Sequence, residues 1–234
     1  MDVRRPRRSV ALVTGAAGTV GRAVADRLAA EGFAVAGIDV HACTADLPLV
    51  VDVTDREQVK AAARQVIEEL GPISVLVTAH SRHAAAPFGE LSRGEWQLLL
   101  ETHLGGTVNA CAAVVPGMIA AGAGTVVTMS SWLALAGVAG EAYFAAATGT
   151  ILAFTKSFSL EVAPKGVRVN CIAIGPLEDR GSAAKLREHQ PSPGELPKQR
   201  YVHPSEVADT VAFLVRDGDF FVGQVLCAAG GAVV

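Results

Sequence analysis

A strand, a glycine-rich turn and a helix follow one another without a break between Ser9 and Leu28, and this stretch constrains the chain more than any other. Val10-Ala11-Leu12-Val13 is an apolar run of the kind that is buried on both faces in a parallel sheet. Thr14-Gly15-Ala16-Ala17-Gly18-Thr19-Val20-Gly21 comes next, and Arg22 to Leu28 continues at helical period. Glycines at such a junction let the backbone turn sharply and come close to a pyrophosphate held on the N–H groups of the helix start. A glycine string alone says little, but this one has the strand before it and the helix after it that the chemistry requires.

The alternation continues to the end of the chain. Strands are expected at Ala34–Ile38 (ending at Asp39), Leu49–Val51 (ending at Asp52), Ser74–Val77, Thr125–Met129, Val167–Ile172 and Gln224–Cys227. Helices are expected over Arg56–Leu70, Glu95–Ala121, Glu141–Val162 and Ser205–Val215. That order implies an α/β fold with a doubly wound parallel sheet of about seven strands. The polar, proline-rich piece from Gly181 to Gln199 reads as a loop over one end of the sheet, where ligands enter.

Length fits one domain with a substantial core: 234 residues, read as a flexible basic N-terminus over 1–8 (Arg4, Arg5, Arg7 and Arg8) and one domain over 9–234. A net charge of −3 gives no basic footprint for nucleic acid. No signal-peptide pattern opens the chain, and Cys43, Cys111, Cys171 and Cys227 show no paired spacing, so a cytoplasmic protein with reduced thiols is expected. From Leu104 to Gly140 there is no charged residue, which raises a membrane span. Pro116, Gly117, Gly122 and Gly124 interrupt that stretch and Thr125-Val126-Val127-Thr128 reads as a strand, so a buried or subunit-contacting helix is expected and a membrane partner is not.

Asp39 ends the second strand 18 positions beyond Gly21, close to the spacing at which a carboxylate accepts hydrogen bonds from adenosine ribose hydroxyls. A carboxylate there repels a 2′-phosphate, and Val40 and His41 follow it where an arginine would accommodate one. NAD is preferred over NADP on this reading.

These pieces together resemble the short-chain dehydrogenase/reductase (SDR) family over Val10 to Gly231. The resemblance is carried by Thr14–Gly21, Asp39, Asp52-Val53-Thr54-Asp55, Ser130-Ser131, Val167-Arg168-Val169-Asn170, Gly175, Val222-Gly223-Gln224-Val225-Leu226 and Gly230-Gly231. It implies a single Rossmann-like domain. It also implies a cofactor site in which Gly15, Ala17, Thr19, Val20 and Gly21 surround the pyrophosphate turn and Asp39 holds the ribose. Asp52 and Val53 would face the adenine, and Ala79 and Gly175 belong to the same site. The family's middle glycine is replaced by Thr19, with a glycine one position earlier at Gly18.

The family reduces carbonyls or oxidises alcohols with a serine, a Tyr-x-x-x-Lys pair and an asparagine. In this chain Phe154-Thr155-Lys156-Ser157 fixes the register, which places Phe144 at the tyrosine position, Thr148 at the lysine position and His103 at the asparagine position. Ser131 alone is kept. Tyr143 is one residue from the tyrosine position, about 100° away around a helix, and the residue four beyond it is Ala147. Thr78-Ala79-His80-Ser81 stands where the family has Asn-Asn-Ala-Gly, Ile174-Gly175 where it has Pro-Gly, and the threonine that contacts the nicotinamide amide aligns near Asp179.

His80, His83 and His103 gather near this site, but no spacing in the sequence shows convergence, and no metal is expected. Ser131 with His103 can be read as a nucleophile–base pair, and more simply as a retained serine beside a polar residue filling the asparagine's space. Two function classes remain. One is a non-catalytic nucleotide-binding subunit in a homo- or hetero-oligomer, joined through Glu95–Ala121 and Glu141–Val162, with an active relative as partner. The other is an NAD(H)-dependent carbonyl/alcohol oxidoreductase or altered-chemistry enzyme that uses Ser131, His103 or Tyr143 on a small-molecule substrate.

Overall fold

The computed structural model describes residues 8–178 and 191–233. Arg4, Arg5, Arg7, Asp179 and the first ten residues of the 181–199 loop lie outside the described residues.

Seven parallel strands form one sheet in the order β3-β2-β1-β4-β5-β6-β7. They are β1 (Val10–Thr14), β2 (Ala34–Asp39), β3 (Leu47–Val50), β4 (Ile73–Thr78), β5 (Gly124–Ser131), β6 (Val167–Ile174) and β7 (Val225–Ala228). The helices are α1 (Thr19–Ala30), α2 (Arg56–Glu69), α3 (Arg93–Leu100), α4 (Gly106–Ala121), α5 (Leu133–Ala136), α6 (Ala142–Val162) and α7 (Pro204–Arg216). Alternate residues of each strand feed opposite cores, as the two-residue period requires. Val10 and Leu12 of β1 face the layer that holds Val59 and Val66 of α2, Ala110 and Val114 of α4, and Val162 of α6. Ala11 and Val13 face α1 and α7, against Val24, Leu28, Val207 and Val211.

The strand order reverses direction between β1 and β4, and ligands of open parallel sheets bind at the carboxyl ends of the strands at such a point. Local signals set the helix starts beside it. Asp55 caps α2 by accepting from the N–H groups of Glu57 and Gln58, and Ser92 with Glu95 forms a capping box at α3.

Four expectations shift by two residues. The third strand runs Leu47–Val50, two residues before the expected start, and takes Pro48 into its ladder opposite Gly37; a proline is tolerated because β3 is the sheet edge. β5 and β6 each run two residues beyond their expected ends, to Ser131 and Ile174, and these added residues pair with each other. The helix expected over Glu95–Ala121 begins at Arg93 and is interrupted by a π turn at Glu101–Gly105.

The helical run Arg93–Ala121 is long and apolar enough to cross a membrane by length and composition, with a window of mean hydropathy 1.5. In the fold, its Ala110, Cys111, Val114, Val115 and Met118 are buried against the sheet.

Candidate functional site

The β1–α1 turn is built on two close approaches. Gly15 has φ +68°, and a Cβ there would lie 2.5 Å from the Cα and N of His80, so the turn crosses the end of β4 with no room for a side chain. A Cβ on Gly21 would lie 2.0 Å from the Gly15 carbonyl oxygen, so the first turn of α1 packs directly on the loop. Gly18 is the N-cap in extended conformation (φ −72°), and Thr19 starts the helix, so the displaced glycine does not prevent the turn. No side chain caps α1, which leaves the N–H groups at Thr19 and Val20 for an anion. This cradle fits a pyrophosphate.

Asp39 ends β2 beside that turn. Its Oδ2 accepts from the Ala17 N–H at 3.1 Å and its Oδ1 from the His41 N–H at 3.0 Å. The carboxylate therefore braces the turn and keeps lone pairs for ligand hydroxyls. Asp52 Oδ1 accepts from the backbone N–H and the hydroxyl of Thr54 (2.9 and 2.8 Å), and the amide of Asn109 on α4 donates to the carbonyls of Val53 and Thr54 (3.0 and 3.3 Å). Asn109 thus fixes the Val53–Thr54 loop, a role with no signal in the sequence because Asn109 is 56 residues from Val53. Gly175 closes the far side, its N–H donating to the Ala228 carbonyl at 2.9 Å.

A cavity of about 570 Å³ runs from this cradle across the strand ends, lined by Gly15, Asp39, Asp52, Ala79 and Gly175 on one side and by Ser131, His83, His103, Phe144 and Thr148 on the other. Ala17 touches it only through its bond to Asp39 and is not part of the lining.

The second half of the cavity is densely polar and aromatic. Phe144 is buried, with the rings of His83 and His103 meeting it edge-on at centroid distances of 4.8 and 5.5 Å. The Thr148 hydroxyl turns back into its own helix and donates to the Phe144 carbonyl at 2.8 Å. His103 sits on the π turn, where its Nε2 donates to the Arg82 carbonyl at 2.9 Å, and burial holds its pKa below the usual imidazole value. The Ser131 hydroxyl oxygen accepts from the Leu133 N–H at 3.2 Å, which leaves its proton free for a ligand. Ser131 and His103 line one cavity, yet no hydrogen bond joins them.

Tyr143 is not brought to the cavity. Its hydroxyl accepts from the Gly89 N–H at 3.0 Å and its ring stacks on Phe88 at 5.9 Å, outside the cleft. The one-residue helical step away from Phe144 carries it there. Trp132, by contrast, lies in the cavity wall.

Two further features escaped the sequence. Glu141, at the N-cap of α6, is 1% exposed, and both its carboxyl oxygens lie within reach of His83 Nε2, at 3.0 and 3.2 Å. His80 is half-buried, 2.5 Å from the Thr14 hydroxyl through Nδ1, and its buried Nε2 has no hydrogen-bond partner among the described residues. Burial, with His103 nearby, pushes the His80 pKa down to about 4. No three His, Cys, Asp or Glu side chains among the described residues converge in the manner of a metal site.

Comparison with known proteins agrees with this architecture. Residues 9–191 match the family described as short chain dehydrogenase. The 3-oxoacyl-(acyl-carrier-protein) reductase FabG of Thermotoga maritima is 31% identical over 241 residues, covering 96% of this chain and 98% of that protein. The short-chain reductase protein NovJ of Streptomyces niveus is 32% identical over 252 residues, covering 98% and 96%. Among solved structures, ligand-free aldohexose dehydrogenase of Thermoplasma acidophilum superposes with a TM-score of 0.88 at 29% identity, covering 96% of this chain and 94% of that one. NAD+-bound xylitol dehydrogenase superposes with a TM-score of 0.86 at 28% identity, covering 97% and 100%. On the fold, the glycine turn and these likenesses, the chain belongs to the short-chain dehydrogenase family of oxidoreductases.

Proposed function

We propose that this chain is a dinucleotide-binding member of its family that has kept the adenosine half of the cleft and lost the family's Tyr–Lys proton-transfer pair. The carrying observation is the contrast between the two halves of one cavity. Gly15, Gly21 and Asp39 form a complete cradle, whereas Phe144 and Thr148 stand where the resemblance places tyrosine and lysine. Phenylalanine holds no exchangeable proton, and the Thr148 hydroxyl is committed to its own helix. General acid–base assistance contributes about 10²–10⁴ in rate, so conventional alcohol–ketone chemistry should be crippled.

NAD is the preferred cofactor on this reading, because the Asp39 carboxylate accepts ribose hydroxyls and repels a 2′-phosphate. The likeness to an NAD+-bound xylitol dehydrogenase supports a nicotinamide cofactor. The four cysteines, all free thiols, support a reducing cytoplasm. An oligomer built on α4 and α6, including one with an active relative, is supported by the exposed Val108 and Leu160 on those helices.

A second reading, an NAD(H)-dependent carbonyl/alcohol oxidoreductase with a different proton donor, is favoured by one observation, the buried Glu141 paired with His83 at the cleft. It also accords with the reductase names of the relatives near 30% identity.

Calorimetric titration with NAD, NADH and ADP tests the reading. NAD or NADH binding more tightly than ADP is the expected result. No binding of any of the three at millimolar concentration would overturn the proposed function.

A further inference from the structure

We propose that Glu141 and His83 form a carboxylate–imidazole dyad that supplies the proton-transfer group of the cleft, with His83 Nδ1 as the atom that exchanges the proton. This deepens the second reading above and rests on dinucleotide binding for the hydride.

The geometry assigns the tautomer. Both Glu141 oxygens face His83 Nε2, at 3.0 and 3.2 Å. A carboxylic acid would offer the nitrogen one donor and one acceptor oxygen; a carboxylate offers two acceptors, as a shared N–H requires. Glu141 also sits at the N-cap of α6, where the helix dipole favours negative charge. Nε2 therefore carries a hydrogen toward Glu141, and Nδ1 is left as the free nitrogen. Nδ1 has no hydrogen-bond partner among the described residues and is not among the buried unpartnered atoms, and the His83 side chain is 20% exposed within the cavity wall.

A tether alone does not account for the pair. The loop bearing His83 is already fastened to the α6 entry by the Ala86 N–H on the Gly140 carbonyl and the Gly89 N–H on the Tyr143 hydroxyl. Burying a carboxylate is expensive unless it is paired, and the group Glu141 faces is the His83 imidazole. The other two imidazoles are unsuited. The Nε2 of His80 is buried and burial pushes its pKa down to about 4, and His103 is 4% exposed with its pKa likewise lowered by burial. The edge-on contact with Phe144 fixes the plane of the His83 ring.

In carbonyl reduction the carbonyl carbon accepts a hydride, two electrons, from a reduced nicotinamide dinucleotide, and the carbonyl oxygen takes the Nδ1 proton of the His83 imidazolium. The C=O π bond breaks, C–H and O–H bonds form, the dinucleotide is oxidised, and His83 is left neutral with Nε2–H on Glu141. Solvent then returns the Nδ1 proton. Ser131, whose hydroxyl proton is free, orients the carbonyl oxygen. His83 is the catalytic residue, and Glu141 is a positioning residue.

The test uses the full chain labelled with 15N-histidine, with His83 signals assigned by their loss in His83→Gln. Long-range 1H–15N spectra should show neutral His83 as the Nε2–H tautomer, and a mixture of tautomers in Glu141→Gln. A neutral His83 found as the Nδ1–H tautomer overturns the proposal whatever the substrate. NADH oxidation with diacetyl as the carbonyl probe gives the second arm. His83→Gln should lower kcat about 100-fold or more while the calorimetric Kd for NADH stays within about twofold. Glu141→Gln should lower kcat with KM unchanged. Thermal unfolding of each variant separates these effects from loss of fold. Unchanged kcat in His83→Gln, or no turnover by wild-type protein saturated with NADH, overturns the dyad as a proton-transfer group. Failure of NADH to bind overturns the proposed function instead, and the tautomer spectra then judge the dyad's geometry by themselves.

Discussion

Acid should destabilise this protein over successive pH ranges, and the first belongs to His80. Its Nε2 is buried without a partner just beyond the end of β4, and burial lowers the His80 pKa from 6.5 to about 4. Above pH 6.5 the folded and unfolded chains both hold it neutral, and the group gives no pH dependence. Between 6.5 and about 4 the unfolded chain binds a proton that the folded chain refuses, so stability falls as pH falls. Below about 4 both forms are protonated and the loss levels off. At 1.36 kcal/mol per pKa unit the shift amounts to about 3 kcal/mol. His103, also lowered by burial, adds in the same direction. Glu206 acts mainly at lower pH, because Arg200 holds its pKa at about 2 against the ordinary 4.5, so its contribution is lost as pH falls from 4.5 toward about 2. Urea unfolding of wild type and His80→Asn across pH values from about 7 to about 4 isolates the term. Wild type should lose about 3 kcal/mol more than the variant over that range. Parallel pH curves for the two proteins would refute the reasoning.

Three further outcomes are expected. Gly21→Ala puts a Cβ 2.0 Å from the Gly15 carbonyl oxygen, so it should cost about 3 kcal/mol in urea unfolding and abolish NAD binding by calorimetry. Asn170→Ala removes an amide that donates to the Phe221 carbonyl at 2.8 Å and accepts from the Gln224 N–H at 2.9 Å, with an expected loss of about 2–4 kcal/mol by the same assay. Asp39→Ala removes the acceptor of the Ala17 N–H and of the ribose, so NAD affinity should fall about 10- to 100-fold while NADP loses less, measured by paired titrations.

Much of the fold was legible because its signals are local. The apolar run Val10–Val13, Gly15, Gly21 and the spacing to Asp39 report backbone geometry directly, and the cradle forms where they lie. Pro48 pointed away from a strand, and only its place at the sheet edge made it acceptable. The second half of the cavity was far less readable. His83 and Glu141 are 58 residues apart, and nothing in either neighbourhood announces that one will be buried against the other. Tyr143 and Phe144 are adjacent in sequence, yet a helix sends one ring to Phe88 and the other between two imidazoles. Hydrophobic periodicity also passed through Glu101–Gly105 unbroken, because a wider helical turn has no composition of its own.

That wider turn makes the Arg93–Ala121 run a rod with a dislocation. Five residues, Glu101–Gly105, wind with hydrogen bonds one residue longer than those on either side, as an extra half-plane of atoms sits in an otherwise regular crystal. Material upstream and downstream is out of phase by about one residue, or about 100° of rotation. Excising a single residue there would heal the rod into one uninterrupted α-helix. With α4 anchored on the sheet by Ala110, Val114 and Met118, all of the rotation would fall on α3 and the turn itself, carrying Leu98, Thr102 and His103 off the cavity wall together. The defect is therefore what lets one continuous helix serve two surfaces, the sheet along α4 and the cleft along α3.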